Sequence, residues 1–205
     1  VSPWCQKIDY PGVLPEDVAN NIMIPWNDIP LLEKTIEENK NEIACIIAQP
    51  YDHGNFHDNA FPEKGFWQQV RKICTDNDIV LIIDDVRAGF RLDLAGSDHF
   101  FGFEADMICF CKALANGYNM SAICGKDFLK NAMSSLAYTG SYWLSAVPFA
   151  ACIANINKMK ELDIPTMFRQ KGEKLCDGLI KAGAEHGFNL IASGPPALFY
   201  LRIAN

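Results

Sequence analysis

Two apolar runs of this sequence stop at an ionisable residue: Val80-Leu81-Ile82-Ile83 ends at Asp84, and Met107 to Cys111 ends at Lys112. A lysine raised at the end of a buried strand is suited to forming a Schiff base, because partial desolvation lowers its pKa and frees the nucleophilic lone pair. If the two runs are neighbouring strands, an anion and a cation face one crevice. With Gly89 and Gly117 just beyond them, the pair points to a carbonyl or cofactor site. Taken singly, each residue also has an ordinary reading, a loop aspartate and a solvated lysine. A different chemistry would use Asp84 and Asp85 together to hold magnesium for phosphoryl transfer, with Lys112 on the phosphoryl group. Asp52, His53, His57 and Asp58 carry ligand-type side chains too. Gly54 and Asn55 argue against a helix that would gather them, so a solvated loop near the site is predicted there and no metal.

The elements that must position Asp84 and Lys112 are legible from periodicity. Asp28 and Pro30 precede a short amphipathic helix through Leu31, Leu32, Thr35 and Ile36, and a buried strand follows at Ile43 to Ala48. Pro62 and Glu63 open a helix whose Phe66, Val70, Ile73 and Cys74 share one face. The run Ile79 to Ile83 reads as an interior parallel strand covered on both faces. Further strands are predicted at Met107 to Cys111 and Ser121 to Cys124. Helices come next at Phe128 to Leu136, about Ala146 to Leu162, and from Pro165 with Phe168, Leu175 and Leu179 on one face. Two candidate strands, Phe188 to Ala192 and Leu198 to Ile203, finish the chain. Strand and helix alternate in the manner of an α/β layered fold with a mostly parallel sheet, whose ligands sit beyond the carboxyl ends of the strands. The change of rhythm near residue 160 divides the chain into 1–160 and the start of a smaller α+β domain, 161–205.

Composition limits the alternatives. Of 205 residues, 18 are Lys or Arg and 25 Asp or Glu, a formal charge of −7, which disfavours a nucleic-acid binder acting through bulk charge. Hydrophobic residues make up 49%, enough for a sizeable core. No apolar run approaches the roughly 18 residues of a membrane span, and the first residues lack a signal-peptide pattern. The cysteines lie mostly in apolar or helical stretches without a CxxC pair, as small buried hydrophobes of a reduced compartment. A cytoplasmic chain without nucleic-acid or membrane partners is expected.

Several segments together resemble one family. Val80 to Arg91, reading VLIIDDVRAGFR, is similar to the "D-E-V-x-x-G-F-R" segment of the class III pyridoxal-phosphate aminotransferases. Phe101 to Asp106 resembles their "F-G-x-x-P-D", Cys111 to Tyr118 their "G-K-x-x-x-x-G-x-P", and Ile46 to Pro50 their "I-x-E-P". Tyr138 to Ala151 resembles the segment before their long interdomain helix, and the flavour is that of the glutamate-1-semialdehyde aminomutase branch. The resemblance implies the large domain of a fold-type-I enzyme, with Lys112 and Asp84 catalytic. Lys112 would form the internal aldimine with pyridoxal 5'-phosphate, and Asp84 would keep the pyridine nitrogen protonated. Val86, two residues on and on the same strand face, would pack against the ring, and Ser141, Thr139 or Ser145 could contact the phosphate. The reaction would move an amino group from an amine or amino acid to a keto acid, ketone or aldehyde, in a homodimer. Intramolecular migration and an inactive dimerisation module are the alternatives. Gln49 and Asp85 stand where relatives carry glutamates. The relatives' phosphate-binding turn lies upstream of Val1, so the sequence reads as the middle of a longer protein that alone would retain cofactor weakly.

Overall fold

The computed structural model describes residues 14–53 and 57–204. A short helix α1 (Pro15–Ala19) precedes α2 (Ile29–Glu38), which begins where Asp28 Oδ1 accepts the Leu31 amide at 2.9 Å and Pro30 occupies the first turn. Strand β1 (Cys45–Ala48) leads to α3 (Phe66–Asp76), β2 (Val80–Asp84), α4 (Ser97–Phe101), β3 (Met107–Phe110) and β4 (Ala122–Gly125). Then come α5 (Lys130–Ser135), α6 (Ala146–Glu161), α7 (Ile164–Glu185) and the hairpin strands β5 (Leu190–Ser193) and β6 (Tyr200–Ile203). The main sheet runs β1-β2-β3-β4, in chain order. The first two pairings are parallel and β4 is antiparallel to β3, so the sheet is mostly parallel as expected.

One face of the sheet is closed. Leu81 and Ile83 of β2 and Ile108 and Phe110 of β3 join Leu32 and Ile36 of α2 and Trp67, Val70 and Cys74 of α3 in a single buried cluster. Trp67 is held by stacking on Phe103, with ring centroids 4.7 Å apart, and its indole N–H donates to the Pro50 carbonyl at 2.9 Å. Asp106 fastens the edge: its Oδ2 accepts Arg71 at 2.6 Å and the Leu81 amide at 2.9 Å, and Lys126 lies 3.2 Å from Oδ1. Burial alone would raise the Asp106 pKa, but these hydrogen bonds outweigh it and hold the carboxyl below its ordinary value.

The other face differs from expectation. Burial alternates along β2, with Val80, Ile82 and Asp84 only half-buried, and the neighbouring Ile47 and Ile123 are 40% and 54% exposed. The continuous apolar run therefore marks a strand whose second face no helix of the described residues closes. Helix α3 starts at Phe66 rather than at Pro62, because Gly65 takes a left-handed conformation (φ 83) and breaks the turn before it. On α7 only the first turns enter the core: Ile164 is buried, whereas Leu175 is 56% exposed. Gly172 sits where α7 meets the turn Pro196–Leu198, and a Cβ there would collide with the Pro196 carbonyl.

Candidate active site

The candidate residues lie where β1, β2 and β3 end. Asp84 is the last residue of β2 and pairs in register with Cys109 of β3. The alternation that buries Leu81 and Ile83 puts Asp84 on the open face. Its Oδ1 accepts the Val86 amide at 3.2 Å, which orients the carboxylate. Asp85 turns the opposite way and is fully buried, its two oxygens accepting the Ser97 amide at 2.9 Å and the Ser97 hydroxyl at 2.6 Å. Burial pushes Asp85 up to about 6, against the pull of those Ser97 hydrogen bonds. With both oxygens committed to the start of α4, Asp85 shares no ligand with Asp84, which removes the geometry that paired magnesium ligands need.

The chain then doubles back through Val86 to Arg91. Gly89 donates to the Asp85 carbonyl at 2.8 Å, and a Cβ on it would lie 2.6 Å from that oxygen and 2.9 Å from the Phe110 ring, so this turn admits only glycine. Val86 is correspondingly in the turn and not on the strand. The sequence reading of a shared strand face fails because β2 stops at Asp84.

Lys112 also lies beyond its strand. β3 ends at Phe110, and Lys112 opens a single 3-10 turn, Lys112–Leu114, with φ 42. A left-handed lysine costs roughly 1 kcal/mol and persists only where its surroundings impose it. Here the Leu114 amide closes the turn on the Cys111 carbonyl at 2.8 Å, and Asn155 of α6 donates to the carbonyls of Ala113 (2.7 Å) and Leu114 (3.0 Å). The side chain is exposed, contrary to the partly desolvated amine expected of a strand residue.

Beyond β1 stands His53, which the sequence places in a solvated loop near the site. His53 is 5% exposed, not part of a solvated loop. Its ring meets Tyr51 edge-on at 5.0 Å, and Arg87 Nη1 donates to its carbonyl at 3.1 Å. Burial, with Arg87 and Lys112 adding to it, pulls the imidazole down to about 4, while Asp84 pulls the other way. His53 thus feels the charges of both Asp84 and Lys112. The signal was available in its place five residues past the end of β1, since ligands collect at strand ends. Its former companions diverge. His57 lies 3.8 Å from Asp52, and Asp58 pairs with Arg202 of β6 at 2.8 and 3.0 Å. Nearby, the Asn59 amide donates to the Ser193 hydroxyl oxygen at 2.8 Å, and its Nδ2 donates to the Leu198 carbonyl at 3.1 Å. Among the described residues no group of three His, Cys, Asp or Glu side chains could hold a metal.

Ser141 is exposed in the turn at 141–144 and makes no hydrogen bond to Asp84 or Lys112 among the described residues. The structure therefore gathers Asp84, Val86, Lys112 and His53 around the strand ends and leaves Ser141 in an exposed apolar stretch with Tyr142, Trp143 and Leu144.

Comparison with known proteins identifies the family of the chain. The family model described as aminotransferase class-III matches residues 14–192. The aminopentol aminotransferase of Sphingopyxis macrogoltabida is 33% identical over 97% of this chain and 48% of its own length. The glutamate-1-semialdehyde 2,1-aminomutase of Francisella philomiragia is 31% identical over 95% of this chain and 45% of its own. The structure of the PLP internal aldimine form of the Sphingopyxis sp. MTA144 FumI protein superposes with a TM-score of 0.89 at 32% identity, covering 100% of this chain and 49% of that one. The chain spans about half the length of the relatives it matches.

Proposed function

Because this chain belongs to the class-III aminotransferase family, we propose that it is the part of a pyridoxal-phosphate-dependent aminotransferase that carries the reactive lysine. The observation that supports this most is the placement of Asp84 and Lys112 at the ends of adjacent parallel strands, with Asp84 on the open face of the sheet. The residues present fit pyridoxal phosphate: a primary amine, an oriented carboxylate and, within reach of both their charges, a buried polar nitrogen of His53 without a partner lie beyond the strand ends. When bound, pyridoxal phosphate supplies the electron sink that deprotonation next to an amine requires.

Lys112 would hold the cofactor covalently through Nζ and, once displaced by the incoming amine, would move the proton at the substrate carbon. Asp84 would keep the proton on the ring nitrogen, because a nearby carboxylate raises the pKa of a cationic acid. Val86 would wall one side of the ring from the turn. Ser141 would reach the phosphate of a second copy, so that the complete protein is a homodimer. The substrates would be an amine or amino acid as donor and a keto acid, ketone or aldehyde as acceptor. The 31% identity to an aminomutase favours a second reading, migration of the amino group within one molecule. Turnover that requires no external acceptor would select it.

The test uses the full protein that carries this sequence, incubated with pyridoxal phosphate, reduced with borohydride and mapped by peptide mass. The expected adduct is on Lys112 and is lost in Lys112→Ala. In Asp84→Asn the adduct should persist while turnover falls on the order of 10²–10³-fold, the usual cost of one preorganised electrostatic partner. An adduct at another lysine, or one that survives Lys112→Ala, would sink the reading.

A further inference from the structure

Buried polar atoms are almost always hydrogen-bonded, so each exception in a functional crevice calls for a cause. Nε2 of His53 is buried and has no partner among the described residues. The surroundings of the ring define which kind of atom it is. Nδ1 faces Arg87 Nη1 at 3.5 Å, and because a guanidinium carries donors only, this contact assigns the lone pair to Nδ1 and the ring proton to Nε2. The imidazole is neutral at ordinary pH, because burial and the neighbouring cations hold its pKa at about 4. The atom without a partner is therefore an N–H donor, and it is held still by the Tyr51 ring at 5.0 Å and the Arg87 contact to the His53 carbonyl at 3.1 Å. Asp84 is close enough for its charge to be felt at His53, yet it accepts no hydrogen bond from it. An acceptor for this donor comes from outside the described side chains, from an ordered water or from a molecule bound at the strand ends.

We propose that His53 is a binding residue of the site, donating through Nε2–H to an anionic oxygen of the molecule held between Asp84 and Lys112. The inference rests on the pyridoxal-phosphate reading above, which offers two oxygens of this chemistry: the ring oxygen of the cofactor and a carboxylate of an amino-acid substrate. Both are anionic acceptors, and a neutral donor in a buried setting suits either.

The experiment uses the full protein, wild type and with His53→Leu or His53→Gln, and reads cofactor affinity, the pH dependence of the bound cofactor's visible absorption, and steady-state kinetics. If the acceptor is the ring oxygen, His53→Leu weakens cofactor binding about tenfold and moves the pH at which the absorption changes, and His53→Gln, which keeps a donor, restores most of both. If it is the substrate carboxylate, affinity and spectrum stay as in wild type. The KM for a carboxylate-bearing donor then rises about tenfold, and that for an amine without a carboxylate does not. Wild-type values in every one of these readouts for His53→Leu would overturn the proposal. Should His53→Leu fail to fold, nitrogen-15 histidine spectra of the wild type decide. The Nε2 proton should move downfield and exchange more slowly on adding pyridoxal phosphate or a carboxylate substrate analogue, and no change with either overturns it. A wild type that forms no covalent adduct removes the parent reading and this one with it, whereas an adduct with an indifferent His53 removes this one alone.

Discussion

His53 and Asp85 are two buried ionisable groups whose environments push them in opposite directions. Asp85 has its folded pKa raised to about 6 from 3.8, so its contribution to stability is complete below the unfolded value and is lost as pH rises through about 6. His53 has its folded pKa lowered to about 4 from 6.5, so its contribution is complete above the unfolded value and is lost as pH falls through about 4. Each amounts to something on the order of 3 kcal/mol at about 1.4 kcal/mol per unit, and over the window between 4 and 6.5 they offset. Replacing one should expose the other. On acidification from pH 7 to 4, Asp85→Asn should lose stability more steeply than wild type, and His53→Gln less steeply, in urea melts taken across that range. Parallel curves for all three proteins would show that neither group is buried as described. Asp84 and Lys112 were legible in the sequence because an apolar run that stops at a charge is a local signal. The burial of His53 was not, because it depends on Tyr51 and Arg87, and Arg87 lies 34 residues away.

At the scale of elements, the turn that carries Lys112 is held from outside. Asn155, in the middle of α6, donates to the carbonyls of Ala113 and Leu114 and so supports a left-handed backbone that a lysine does not favour. Asn155→Ala should lower stability by about 1–3 kcal/mol, the usual cost of leaving buried carbonyls without donors. It should also reduce the fraction of protein trapped on Lys112 by borohydride. A loss of stability with full trapping would mean that α6 supports the fold and not the lysine. The sequence bounded α6 almost to its ends, about Ala146 to Leu162 against the observed Ala146–Glu161. It misplaced the exits from β2 and β3, where one residue decides whether a side chain belongs to a strand or a turn. It also overestimated the apolar face of α7, because a stripe of leucines does not say whether anything covers it.

Across the whole molecule, apolar side chains lie exposed from β4 through the first half of α6. Tyr142 is 86% exposed, Leu144 73%, Val147 60% and Ile153 63%, a concentration that single surface residues do not explain. A second copy is the occupant that the proposed function requires, and the same stretch contains Ser141. The full protein should sediment as a dimer, and Leu144→Asp with Ile153→Asp should shift it toward monomer and weaken cofactor retention together. A monomeric wild type with full retention would contradict this. No helix among the described residues is long and apolar enough to cross a membrane.

The sheet order β1-β2-β3-β4 repeats the order of the chain, and this has a consequence for how the protein assembles. Each strand can pair with the one made just before it, so the row of strand ends that holds Asp84 and Lys112 closes through the crossovers 49–79 and 85–106, each complete as soon as its second strand is made, even during synthesis. The links from Asn59 to Ser193 and from Asp58 to Arg202 span 134 and 144 residues and cannot close until the hairpin exists. Chain growth would thus lay down the strand ends first and fasten Asp58 and Asn59 last, which makes those links the late-folding part of the site.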